Sequence, residues 1–226
     1  MMRYKIKFLG SSNGQSIPRE NCQCLQCESK DKKDSRLRSV ILVNNKILID
    51  AGPDILKQLT TRQIENLDSV LITHEHNDHV GGLKYLLKIN RNLRIIRLKP
   101  GQHFKLLNID FFGFKVMHSK MMPTVGLEIA EKIAYIPDSS SLDLALKYLQ
   151  EVKIAILDGS IFDRSSSDHL AMKEIIATTK IFKNLKKIYF THNGHTQKTH
   201  KEMVKLVQQV GDSRYTLAYD GLELEI

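Results

Sequence analysis

Tryptophan is absent from the 226 residues, and aromatic side chains make up only 7%. That argues against the stacked aromatic platforms on which single-stranded nucleic acids lay their bases. Cysteine is scarce as well. Three residues cannot all pair within one chain, which argues against a disulfide scaffold. No apolar run approaches the ~20 residues of a membrane span. Met1 to Leu9 alternates polar and apolar residues where a secretion signal would be unbroken. The expectation is a cytoplasmic protein with no membrane contact. Internal repeats, low-complexity linkers and clear composition breaks are missing too, so residues 1–226 read as a single domain. What is plentiful is basic charge: 34 Lys plus Arg against 25 Asp plus Glu, a net +9. This excess suits an anionic ligand, although solvated lysine faces produce it too. Hydrophobic residues at 42% and charged residues at 26% exclude wholesale disorder.

Periodicity predicts strands over Arg3–Leu9, Ser39–Val43, Lys46–Asp50 and Ser69–Thr73, with a hairpin at Asn44-Asn45. Further strands are expected near Arg94–Leu98, Phe111–Met117, Val125–Ala130 and Lys132–Ile136. Helices are expected over Pro53–Gln63 and Val80–Ile89. The second half alternates. It reads as helices Ser141–Gln150, His169–Thr178 and Thr199–Gln209 around strands Lys153–Leu157 and Lys187–Thr191. Strands Arg214–Tyr219 and Leu222–Ile226 close the chain. Such an order implies an α/β protein of two mixed sheets covered by helices, an αββα sandwich.

The histidines are clustered. His74-Glu75-His76-Asn77-Asp78-His79 places three imidazoles and a carboxylate in six residues, after an apolar strand and before a helix. A strand-to-helix turn converges such side chains on one point, and imidazole with carboxylate suits zinc, manganese or iron. Six residues cannot complete two sites. His118, Asp138, His192 and Asp50 each end an apolar strand, where a polar side chain can project into a common cleft.

This set resembles the metallo-β-lactamase superfamily. His74-x-His76-x-Asp78-His79 matches the HxHxDH motif of its binuclear hydrolases. The resemblance implies that His74, His76 and His118 hold one metal and that Asp78, His79 and His192 hold a second. It implies that Asp138 bridges them and that Asp50 orients a ligand from behind.

All three cysteines fall in Cys22-x-Cys24-x-x-Cys27. Three thiolates need only one more ligand for a closed tetrahedral zinc site. His195, three residues after His192, is the expected fourth. This cysteine loop with its late H-x-x-H looks like the cyclic phosphate phosphodiesterases of the carbon–phosphorus lyase pathway. The resemblance implies a metal-dependent phosphodiesterase acting on a cyclic or small anionic phosphodiester through a hydroxide shared by two divalent ions, zinc or manganese or iron. One structural zinc is implied besides. Asp168-His169 falls where that group carries a histidine near the scissile phosphate. His169 is therefore the expected proton donor, with Asp78 the other catalytic residue through the metal geometry it fixes. Asp168 also reads as the cap of the following helix. Two rival functions stand beside this one. A ribonuclease Z-like nuclease shares the HxHxDH pattern and suits the basic charge, but the chain has no long arm for gripping RNA. A pyrroloquinoline quinone biosynthesis B-like oxidoreductase has a comparable cysteine loop. Nucleic acid is not the favoured partner, and a homodimer is left open.

Overall fold

Asn44 and Asn45 both adopt the left-handed backbone, at φ 47° and 57°, as a two-residue hairpin turn requires. They join two strands of the first sheet in the computed structural model, which describes residues 4–119 and 122–226. The strands of this sheet are β1 (Lys5–Gly10), β2 (Val40–Val43), β3 (Ile47–Ile49), β4 (Ser69–Ile72), β5 (Arg94–Arg97) and, last in the chain, β13 (Glu223–Glu225). Their spatial order is β13-β1-β2-β3-β4-β5. The second sheet holds β6 (His103–Leu106), β7 (Ile109–Val116), β8 (Thr124–Ile129), β9 (Ile133–Ile136), β10 (Ile154–Asp158), β11 (Lys187–Thr191) and β12 (Tyr215–Leu217), in the order β12-β11-β10-β9-β8-β7-β6. Arg3, the first residue of the expected opening strand, lies outside the described residues.

Alternation along the strands sorts side chains between layers. Ile41, Val43, Ile49 and Leu71 meet Phe111, Leu127, Tyr135 and Ile156 in the space between the sheets. Past a short helix α1 (Leu25–Glu28) in the loop between β1 and β2, the intervening residues of the first sheet, Val40, Leu42, Leu48 and Val70, face helices α2 (Ile55–Gln58), α3 (Thr61–Glu65) and α5 (Leu83–Ile89). On the other side Ala134, Ile136, Leu157 and Phe190 pack against α6 (Leu146–Glu151), α7 (Met172–Thr179) and α8 (His200–Val210). The layers are thus α, β, β, α, as the sequence implies.

Several boundaries differ from the sequence reading. The expected Pro53–Gln63 helix is two pieces. Thr60 accepts a hydrogen bond from the Gln63 amide while Gln63 caps back to Thr60, and this capping box starts a new helix. The Val80–Ile89 helix is likewise split into α4 (Asn77–Val80) and α5. Gly82 lies between them because a Cβ there would be 2.2 Å from the Gly52 carbonyl oxygen. Strand β6 escaped the periodicity, since four residues at a sheet edge carry little signal. Asp168 does not cap a helix: α7 begins at Met172 with Ala171 as its N-cap.

Direction decides where the strand ends go. Strands β7 and β9 are both antiparallel to β8, so they run the same way. Strands β9, β10 and β11 are parallel, as are β3 and β4. The polar residues that follow these strands therefore leave each sheet at a common end.

The cysteine-bearing loop between β1 and β2 is anchored by a buried cation. Arg36, 1% exposed, donates to Ser11 Oγ at 2.8 Å, to the Ala218 carbonyl and to His200 Nδ1 at 2.8 Å. Asp34 accepts the amide of His200. His200 must therefore stay neutral. Burial, together with the Arg36 and Lys33 charges, pushes its pKa from 6.5 down to about 4. Because the folded value lies below the unfolded one, stability is unaffected above pH 6.5 and declines as pH falls from 6.5 towards 4. The loss amounts to up to about 3 kcal/mol. His200→Asn keeps an acceptor for Arg36 but cannot titrate, so its urea-unfolding free energy should show a shallower acid limb. Parallel pH profiles for the two proteins would rule this out.

Candidate metal centre and active site

The turn from β4 into α4 projects His74, His76, Asp78 and His79, and the other strand ends supply the rest. Asp50 and His192 take the left-handed backbone at φ 65° and 53°, a conformation that disfavours any residue with a Cβ by roughly 1–2 kcal/mol. Backbone strain of this kind concentrates at functional sites. Here it lies at the ends of β3 and β11.

Hydrogen bonds hold four of the imidazoles by Nδ1. His79 Nδ1 donates to Asp50 Oδ2 at 2.8 Å. The Thr73 hydroxyl donates to Asp50 and accepts from His74 Nδ1 at 3.0 Å. His118 Nδ1 donates to the Asp168 carbonyl at 2.7 Å. His192 Nδ1 donates to Ser160 Oγ at 2.8 Å, and that hydroxyl donates onward to the His192 carbonyl. With Nδ1 occupied, each ring turns Nε2 inward as a lone-pair donor, the tautomer that a metal ligand needs. His76 presents Nδ1 instead, 2.9 Å from His74 Nε2 and 3.2 Å from His118 Nε2.

The inward atoms form overlapping sets. His74, His76 and His118 make one, and Asp78, His79 and His192 make another. Asp138 joins both neighbourhoods, grouping with His74 and His79 on one side and with His118 and His169 on the other. His79 Nε2 lies 3.1 Å from Asp138 Oδ2 and 3.5 Å from Asp78 Oδ2, and His192 Nε2 lies 3.2 Å from Asp78 Oδ2. His79 Nε2 and Asp138 Oδ2 are buried without hydrogen-bond partners. A divalent cation between these atoms would satisfy both, so the residues fit the group that the donor set implies.

Electrostatics agrees with that fit at His74, His76 and the two carboxylates. At His79 burial lowers the pKa, but the charges of Asp50 and Asp138 prevail and raise it well above 6.5, so a cation bound there would displace a proton from that ring. Burial, and then the neighbouring imidazoles, hold His74 down at about 2, so it is neutral near pH 7. Burial also lowers His76, with His118 adding to it. Burial alone would raise Asp78, but the adjacent His192 and His79 rings hold it well below the carboxylate range. Asp138 is held down in the same way, by the charges of His192 and His79 against its burial. Neutral imidazoles and ionised carboxylates are the protonation states that bind metals.

His169 sits at the edge of this cluster, its ring 5.2 Å from that of His118 and 5.5 Å from that of His192. Its Nδ1 donates to Asp158 Oδ2 at 2.7 Å. Asp158, 1% exposed, also accepts the amides of Ser139 and Ser160. Burial lowers the His169 pKa, but the Asp158 hydrogen bond and the charges of Asp158, Asp138 and Asp168 prevail and lift it to about 9. The sequence reading missed Asp158 and Ser160. Asp158 ends β10 as Asp50 follows β3, so the same strand-end signal was there to be read. Ser160 carried none.

The cysteines converge elsewhere. Cys22, Cys24 and Cys27 Sγ lie 3.5, 3.2 and 3.3 Å from His195 Nε2. A tetrahedron with Zn–S near 2.3 Å and Zn–N near 2.0–2.1 Å has S···N edges of about 3.5 Å, so these four residues fit a closed zinc site. The amides of Arg19 and Cys27 point at Cys27 and Cys24 sulfur, as N–H donors do around thiolates. The His195 side chain thus groups with the three cysteines, apart from the ligand set that contains His192.

Every residue expected at the site lies in one of these two constellations or, in the case of Asp50 and His169, directly against the first. Similarity to known proteins runs in the same direction. Residues 36–106 match the family described as the metallo-beta-lactamase superfamily. A crystal structure of a diphosphatase from the PhnP family superposes with a TM-score of 0.86 at 26% identity, covering 100% of this chain and 98% of that one. Zinc-bound PqqB from Methylobacterium extorquens superposes at 0.77 with 20% identity, covering 98% and 100%. A long-form RNase Z from yeast does so at 0.65 with 11% identity, covering 98% and 42%. Among curated proteins, an octanoyltransferase of Porphyromonas gingivalis is 26% identical over 96% of this chain and 50% of its own length. A hydroxyacylglutathione hydrolase of Francisella philomiragia is 29% identical over 56% of this chain and 60% of its own. The chain thus spans about half the length of the curated relatives it matches.

Proposed function

We propose, on the premise that this chain carries a metallo-β-lactamase superfamily domain, that it hydrolyses cyclic or small phosphodiesters with the help of two divalent metal ions. His74, His76 and His118 would hold one ion, Asp78, His79 and His192 the other, and Asp138 would lie between them. Zinc, manganese or iron bound there would lower the pKa of water and neutralise phosphoryl oxygens. Asp50 holds His79, and through Thr73 also His74, so it keeps both rings aimed. Ser160 does the same for His192. His169 delivers a proton from Nε2 to the departing oxygen, since its Nδ1–H is committed to Asp158. With a pKa of about 9 the ring is charged at neutral pH, as a general acid must be. Cations in the neighbouring ligand sets would lower that value. The observation that carries this reading is the Asp158–His169 pair standing beside two ligand sets in a fold shared at 26% identity with a PhnP-family diphosphatase.

The test is a panel of cyclic phosphodiesters, nitrophenyl phosphodiesters and structured RNA, run on protein whose metals have been quantified. His169→Ala should slow substrates with alkoxide leaving groups by about 10²–10⁴-fold. It should barely change nitrophenyl esters, which depart without protonation. Asp158→Asn should reproduce this split in weaker form. Equal losses on both substrate types would make His169 a binding residue, and turnover of RNA alone would favour the nuclease.

A further inference from the structure

A cavity of ≈ 610 Å³ opens beside His118. We infer that it is the leaving-group subsite, and that it takes an alcohol carrying a flat, apolar-faced ring. This inference rests on the phosphodiester reading above and adds to it what stands beyond the phosphorus.

Position is the first argument. His118, one of the inward-facing imidazoles, lines the cavity, and so does Ser167. Ser167 lies two residues before His169, and the Asp168 carbonyl between them holds His118 Nδ1 at 2.7 Å. The cavity is therefore bounded by the loop that carries the proton donor. When the P–O bond to the leaving group breaks, the electron pair stays on that oxygen, which takes the proton from His169 Nε2. The group attached to that oxygen must then lie on the His169 side of the phosphorus, and this cavity is lined by two neighbours of that donor, His118, whose ring is 5.2 Å from it, and Ser167.

Chemistry of the lining is the second argument. Met117 and Met122 bring thioethers, and Pro123 brings a rigid apolar ring. Thioether sulfur makes favourable contacts with aromatic rings, and unbranched methionine adapts to their shape. Met117 is 46% exposed, apolar surface that an occupant would remove from water. Lys115 lies at the cavity and no carboxylate lines it among the described residues, so one negative charge on the occupant is accommodated. A volume of this size belongs to small-molecule sites, and the face of a flat ring offers the two thioethers a contact that a bare alkyl chain does not.

The experiment compares methyl phosphodiesters whose leaving alcohols are benzyl, ethyl and octyl alcohol, so that leaving-group basicity is nearly constant. In the metal-loaded wild-type enzyme, benzyl should exceed ethyl in kcat/KM by about tenfold or more, the usual range for filling an apolar pocket. Met117→Glu, which puts a carboxylate in the wall, should bring the benzyl-to-ethyl ratio close to one. Lys115→Ala should cut turnover of the 4-carboxybenzyl ester about tenfold relative to the benzyl ester. A ratio near one in the wild type, or a preference for octyl over benzyl, overturns the inference. A second readout is independent of turnover. Saturable binding of 2-naphthylmethanol, followed by its fluorescence, should be present in the wild type and lost in Met117→Glu. If no phosphodiester is hydrolysed yet this binding is seen, the phosphodiester reading and the leaving-group assignment fail together, and only ring binding by the cavity stands. If binding is absent or unchanged by the variant, the subsite fails.

Discussion

Asp78→Ala is expected to abolish phosphodiester turnover, by at least about 10³-fold, while the protein stays folded. Replacing a group that merely supports a ligand typically reduces metal affinity or activity 10–100-fold, and the loss of a ligand itself exceeds that. The carboxylate faces both His79 Nε2 and His192 Nε2, so its removal empties one of the two ligand sets of its only carboxylate among Asp78, His79 and His192. The hydrophobic clusters on either side of the sheets do not include it. Far-ultraviolet circular dichroism should therefore be unchanged, and elemental analysis should show metal content reduced by about one ion per chain. His76→Ala should act alike on the other set. If either variant kept near wild-type turnover at verified metal occupancy, the binuclear mechanism would be wrong.

Cys24→Ser should lower the melting temperature by on the order of 10 °C. A metal held by Cys22, Cys24, Cys27 and His195 ties together residues 168 positions apart. Closing a loop of that length restricts the unfolded chain by roughly 5 kcal/mol in the chain-entropy model. In a chain of this size each kcal/mol moves the melting temperature about 2–4 °C. The effect should also reach the catalytic cluster. His192 and His195 share one short loop, and Gly194 between them packs so closely on Ser160 that a Cβ would lie 2.0 Å from its carbonyl oxygen. Ser160 in turn holds His192 Nδ1. Cys24→Ser should accordingly weaken metal binding at Asp78, His79 and His192 more than at His74, His76 and His118. His118→Ala is the control, expected to disturb only the latter set and to keep the cysteine-bound metal. A Cys24→Ser protein that melts like the wild type and retains three metals would reduce the cysteines to ordinary loop residues.

Much of this molecule is legible in one dimension. Period-two alternation in β7 and at the start of β1 follows directly from which faces of the two sheets are buried, while β2 and β9, buried on both faces, show as short apolar runs. His74 to His79 and Cys22 to Cys27 are local clusters, and a turn of six residues can converge ligands without help from the rest of the chain. His118, Asp138 and His192 could be picked out because each ends an apolar run. Other features depended on the packed structure. That these strand ends meet depends on the relative directions of β7, β9, β10 and β11, and pairing between distant segments sets those directions. Which imidazole nitrogen faces inward depends on acceptors such as Asp50, the Asp168 carbonyl and Ser160, which lie 29 to 50 positions away in the chain. Asp158 became a partner of His169, and Arg36 of His200, only through contacts that no spacing rule encodes. Residue types and their local spacing therefore determined which chemistry the chain could support. Tertiary structure decided which atoms do it, because hydrogen bonds between remote segments select one tautomer and one orientation for each side chain.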